Sequence, residues 1–177
     1  RELLADGKCT IGAHLHPWVN PPFDEIVCNI NSYPGNLPAA LEREKLRCLT
    51  DTIEQNFGQR PVVYKAGRYG AGFNTAAILD ELGYEIDTSV LSWSDLSADD
   101  GPNFSNCGST PYWFGDNRRL LEIPMTVGFV GALAIPLPGM APLYAASLSG
   151  AGILTTLGIA AAITTAWSIA GRAIGAV

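Results

Sequence analysis

Histidine is scarce in this chain: among 177 residues there are two, His14 and His16. Imidazole is the commonest protein metal ligand and titrates near neutral pH, so its scarcity leaves one place where that chemistry can sit. Basic residues are few as well, 11 against 17 acids, for a net charge of -6 with no basic run or stripe. Nucleic-acid surfaces depend on clustered Lys and Arg, so that class of partner is excluded. The four cysteines, Cys9, Cys28, Cys48 and Cys107, show no CxxC spacing. That rules out a zinc knuckle or a redox pair, and scattered thiols leave the compartment open between envelope and cytoplasm. GxGxxG and Walker patterns are missing too, which argues against a nucleotide cradle. Residue 1 is Arg, and no charged segment followed by an apolar one marks a secretory leader. The expectation is an internal fragment.

What is present suits one globular unit: 47% hydrophobic and 16% charged residues over a length sufficient for a core. Charge is unevenly spread. Every acid lies at or before Glu122, and the stretch 123–171 is uncharged. Two parts follow, residues 1–130 as a folded domain and 131–177 as an apolar helical tail. Within the tail, residues 150–171 are long enough at ~1.5 Å per residue to cross a ~30 Å hydrocarbon layer. Five Thr and Ser in that stretch and the upstream Pro136, Pro138 and Pro142 suit a buried or docked helix equally well. Membrane contact by the tail stays open.

Punctuation and periodicity give the elements. A helix end over residues 1–6 stops at Gly7, residues 9–15 are a strand, and 17–38 are a loop rich in Pro and Gly signals. Leu41, Leu46, Leu49, Ile53 and Phe57 fall near helical spacing over Ala39–Phe57, with Gly58 as the stop. Residues 62–64 form a strand, Thr75–Leu82 a second helix ending at Gly83, and 84–90 another strand. A polar loop over 92–111 precedes a strand at 120–126, which Pro124 assigns to an end or an edge. Alternation of strand and helix predicts a parallel α/β fold.

In such folds functional groups gather in the loops after strands. His14 and His16, two apart, point the same way from an extended backbone. They form part of a metal site that lacks a carboxylate, which Asp87 or Asp95 would supply; a loop whose imidazoles bond to backbone is the alternative. The glycines of the loop at 65–72, KAGRYGAG, permit close approach of backbone to a ligand, with Lys65 and Arg68 as cations and Tyr69 beside them. A plain strand-to-helix turn fits that loop too. Asp87 ends a strand and suits orienting an imidazole or binding metal, whereas Glu122 before Pro124 suggests structure. Trp18, Trp93 and Trp113 would stack on sugar rings or close over a core.

The phrases IGAHLHPWVNPPF, LPAALEREKL, FGQRPVVYKAGRYG, LDELGYEIDTSV, GPNF and LLEIPMTVGF, in this order, resemble the polysaccharide deacetylase family of NodB-like carbohydrate esterases, in its HxHPW/GRYG branch. The resemblance covers about residues 1–130. It implies a distorted parallel (β/α) barrel, here partial, and removal of acetyl groups from a polysaccharide with a divalent metal, commonly zinc. It implies His14 and His16 as metal ligands, although the family usually has three residues between its histidines rather than one. Tyr69 matches the position whose backbone N–H meets the oxyanion. Lys65 stands where the family has Arg, with Arg68 nearby, and Asp87 and Asp95 resemble the later aspartate motif, whose Trp companion is here Leu96. The motifs with the paired aspartates and the acid histidine would lie outside the chain, so the fragment alone is expected to be inactive. A non-catalytic carbohydrate-binding or envelope-anchored relic, and a barrel metal-amidase acting on small C–N substrates, are the alternative functions.

Overall fold

A computed structural model describes residues 2–116 and 119–127. Five strands form one sheet: β1 (Ala13–Leu15), β2 (Val63–Ala66), β3 (Ile86–Asp87), β4 (Tyr112–Phe114) and β5 (Leu120–Glu122), in the order β1-β2-β3-β5-β4. The first four in that order run parallel, and β4 pairs antiparallel with β5 at the edge. The fold is therefore mixed α/β with a mostly parallel sheet. The helices are α1 (Glu2–Ala5), α2 (Ala39–Phe57) and α3 (Thr75–Leu82).

The two long helices end where their glycines allow. Gly58 and Gly83 take left-handed φ values of 69° and 81°, and their N–H groups reach back to carbonyls of the last turn. Leu46 and Ile53 of α2 and Ile78 and Leu79 of α3 pack against Ala13, Leu15, Tyr64, Ala66 and Leu120 of the sheet. Register places Tyr64 beside Ala13, Asp87 beside Tyr64, and Glu122 beside Asp87, so these residues share that helix-covered face. His14 and Lys65, one residue along, belong to the opposite face.

The strands differ from expectation in length and number. β1 is three residues rather than the run 9–15, and β3 is two rather than 84–90. The β3 ladder stops because side chains take its next donors: Asp87 Oδ1 accepts the Ser89 N–H at 3.1 Å, and Glu122 Oε1 accepts the Val90 N–H at 3.0 Å. β4 was not foreseen, and the loop 17–38 contains three short 3-10 turns, Pro17–Val19, Ile30–Ser32 and Pro34–Asn36. Among the described residues no helix is long and apolar enough to cross a membrane. The tail 131–177 lies outside the described residues.

Candidate metal and anion-binding site

His14 stands on β1 opposite Lys65 of β2, and its Nδ1 lies 3.0 Å from the Lys65 carbonyl. A carbonyl only accepts, so Nδ1 carries the proton and Nε2 keeps a bare lone pair. An imidazole held this way is oriented as a metal ligand through Nε2. His16, just past the strand, brings its own Nε2 to 2.9 Å from that of His14, with the rings edge to face. His16 titrates below its ordinary value, chiefly through burial and then through His14 and Arg68, which favours the neutral ligand form.

Gly67 makes room for this arrangement. A Cβ there would stand 2.6 Å from the Leu15 carbonyl and 2.7 Å from His16 Nδ1. The two nitrogens are near enough to share one ion at the ~2.0–2.1 Å of a Zn–N bond. The pair fits two positions of a divalent-metal site. No third His, Cys, Asp or Glu joins it among the described residues, so neither Asp87 nor Asp95 is the missing ligand. Asp87 lies on the other face of the sheet, and Asp95 Oδ1 accepts the Ser97 N–H at 2.9 Å in a local turn.

The loop after β2 is strained next to the histidines. Arg68 and Tyr69 have φ values of 55° and 59°, in the left-handed region that costs a side-chain-bearing residue about 1–2 kcal/mol. Such strain persists only where surroundings enforce it. Here Arg68 does so: its guanidinium donates to Asn29 Oδ1 at 2.8 Å, to Ser32 Oγ and to Asp99 Oδ2, and it lies 4.2 Å over the Tyr33 ring. Tyr33 in turn donates to Asp99 Oδ2 at 3.0 Å. Arg68 thus ties together three loops and fixes the backbone that carries Tyr69. Lys65 Nζ donates to the Thr88 carbonyl at 3.1 Å and lies 4.4 Å over the Tyr69 ring, with burial lowering its pKa.

Neither a protein-family model nor a curated protein matches the chain. A solved structure does. It is the crystal structure of a "putative polysaccharide deacetylase" from Mycobacterium smegmatis, with 21% sequence identity and a TM-score of 0.38 over 58% of this chain. The match spans 33% of that protein.

On the helix-covered face Asp87 and Glu122, both almost fully buried, form a carboxyl pair. Burial raises both pKa values, Glu122 further because the Asp87 charge opposes its ionisation. With Val90, Phe104 and Tyr112 they line a cleft of about 510 Å³ that also runs along Gly70, Ala71 and Gly72. The partnership of Asp87 with Glu122 went unseen in the sequence, although strand-end carboxylates on adjacent strands are its signal. Of the tryptophans, Trp18 and Trp113 are exposed and do not close over the core. Trp93 is half-buried, its ring 3.3 Å from where a Gly108 Cβ would be.

Proposed function

We propose that this chain is part of a metal-dependent hydrolase that removes acetyl groups from a polysaccharide or related carbohydrate. The observation that carries the reading is the convergence of two imidazole Nε2 atoms, one with its tautomer set by the Lys65 carbonyl. A bound divalent ion, zinc being the first choice, would polarise the acetyl carbonyl and supply a water nucleophile near neutral pH. His14 and His16 would hold the ion. The Tyr69 N–H meets the developing oxyanion, held there by the Arg68 tether. Lys65, over the Tyr69 ring, adds positive charge at the same edge. Asp87, on the far face, acts from within the carboxyl pair and orients neighbouring groups. In this reading the sheet is one part of a distorted (β/α) barrel.

The test is zinc stoichiometry of the full 177-residue chain, measured by calorimetric titration, against His14→Ala and His16→Ala. One zinc per chain is expected for the parent, with affinity down at least about 100-fold in either variant, since each loses one of the two proposed ligands. Undiminished binding in both variants overturns the metal assignment. Acetate release from chitooligosaccharides is assayed alongside, with ureides as the small C–N comparison. Since this chain alone is expected to be inactive, hydrolysis of ureides but not of chitooligosaccharides would point to the metal-amidase acting on small C–N substrates instead.

A further inference from the structure

Lys45, in the middle of α2, has no exposed surface at all. Its ammonium donates to the carbonyls of Pro17 at 3.0 Å, Asn20 at 2.7 Å, and Pro22. An ammonium has three N–H bonds, and these three acceptors use them all. Glu25 Oε2 lies 2.9 Å away as a buried counter-charge, off the hydrogen-bond directions, and neither Glu25 oxygen has a hydrogen-bond partner. The sequence explains why a cation is needed. Pro17, Pro21 and Pro22 contribute no N–H, so the segment has fewer donors than carbonyls to satisfy, and a helix lysine makes up the difference.

The clamped carbonyls belong to the residues that hold His16. Pro17 follows it directly, and Asn20 Oδ1 accepts the His16 N–H at 3.3 Å. The Val19 N–H closes back onto the His16 carbonyl at 3.2 Å, and the Asn20 N–H onto that of Pro17 at 3.3 Å. Unlike His14, which is held in the sheet, His16 lies beyond the strand, so its place depends on this turn. We infer that Lys45, with Glu25 as counter-ion, is a positioning residue for the histidine pair, fixing residues 17–25 against α2 and through them the backbone of His16. The inference rests on the reading that the pair binds a divalent cation.

The experiment is zinc titration of the full chain and of Lys45→Met, with Leu79→Ala as a control that loosens the core at α3. Lys45→Met is expected to weaken zinc binding about 10–100-fold, the usual cost of losing support around a ligand. Leu79→Ala is expected to stay within about twofold of the parent, because it destabilises the core without touching the turn. Should Lys45→Met fail to fold, Asn20→Ala decides, since it cuts the link to His16 and leaves the buried lysine in place; a drop of several-fold is expected. Parent-like affinity in a folded Lys45→Met chain overturns the inference, as does parent-like affinity in Asn20→Ala where Lys45→Met does not fold. So does an equal loss in Leu79→Ala. A parent chain that binds no zinc instead removes the functional reading on which the inference rests.

Discussion

Stability is expected to fall as pH rises from about 5 to 8, and Glu42→Gln is expected to remove much of the part of that fall that lies below about 7. Glu42 sits in the first turn of α2 with no exposed surface; its Oε1 accepts from Thr75 Oγ1 at 2.6 Å, and its Oε2 has no hydrogen-bond partner. Burial pushes its pKa from 4.5 up to about 7, against smaller opposing effects of Thr75 and Arg43. The folded state therefore holds a proton that the unfolded state releases near its ordinary value. The resulting stabilisation is complete below about pH 4.5 and is lost as pH rises through 7, amounting to about 3 kcal/mol. The Asp87–Glu122 pair, also raised, has the same sign. His16, lowered from 6.5, has the opposite sign and offsets part of the fall below that value. Urea unfolding at several pH values checks this. A Glu42→Gln chain whose stability declines with pH as steeply as the parent would refute it; Glu42→Gln with Glu122→Gln is expected to give the flattest profile.

Why helices were legible and much else was not follows from where the information lies. Leu46 and Ile53 mark the buried stripe of α2, and Gly58 marks its end, all within one local window. The same buried face holds Glu42 and Thr50, each four residues from Leu46, and Lys45 beside it, three residues from Glu42. Polarity hid them, because a charged residue in an amphipathic helix is ordinarily solvated. Only contacts with Thr75 and Tyr84, more than thirty residues away, and with the prolines before the helix make their burial intelligible. β4 has the same difficulty. Tyr112, Trp113 and Phe114 have no alternating pattern and become a strand by pairing with β5. For the site, the direction of the two histidines could be read from their spacing, since it is a property of extended backbone. The tether from Arg68 to Asp99 could not, because it joins separate loops, and neither could the separation of Asp87 from the histidines, which depends on strand register.

Replacing Gly35 by Ala is expected to cost about 3 kcal/mol, the upper end for overpacking a well-filled site. No unusual dihedral requires this glycine; the approach of another backbone does. A Cβ on Gly35 would lie 2.2 Å from the Gly72 nitrogen and 2.4 Å from its Cα, and one on Gly72 would lie 2.4 Å from the Gly35 carbonyl oxygen. The Gly35 N–H donates to the Gly70 carbonyl at 2.7 Å in the same contact. A flexible side chain could move aside, but here both surfaces are main chain. One of them ends the loop that begins at Gly67 beneath His16 and includes Tyr69. Gly58→Ala supplies the comparison: a Cβ there meets nothing within 4 Å, so only its left-handed φ of 69° is penalised, at about 1 kcal/mol. Denaturant midpoints at unchanged slope measure both. A Gly35→Ala cost no greater than that of Gly58→Ala would refute the backbone contact. Gly35→Ala and Gly72→Ala together are expected to cost less than the sum of the two, because either methyl alone already separates the loops. Full additivity would mean that the two glycines serve independent purposes, and the loop that bears Tyr69 would then have to be held by the Arg68 tether alone.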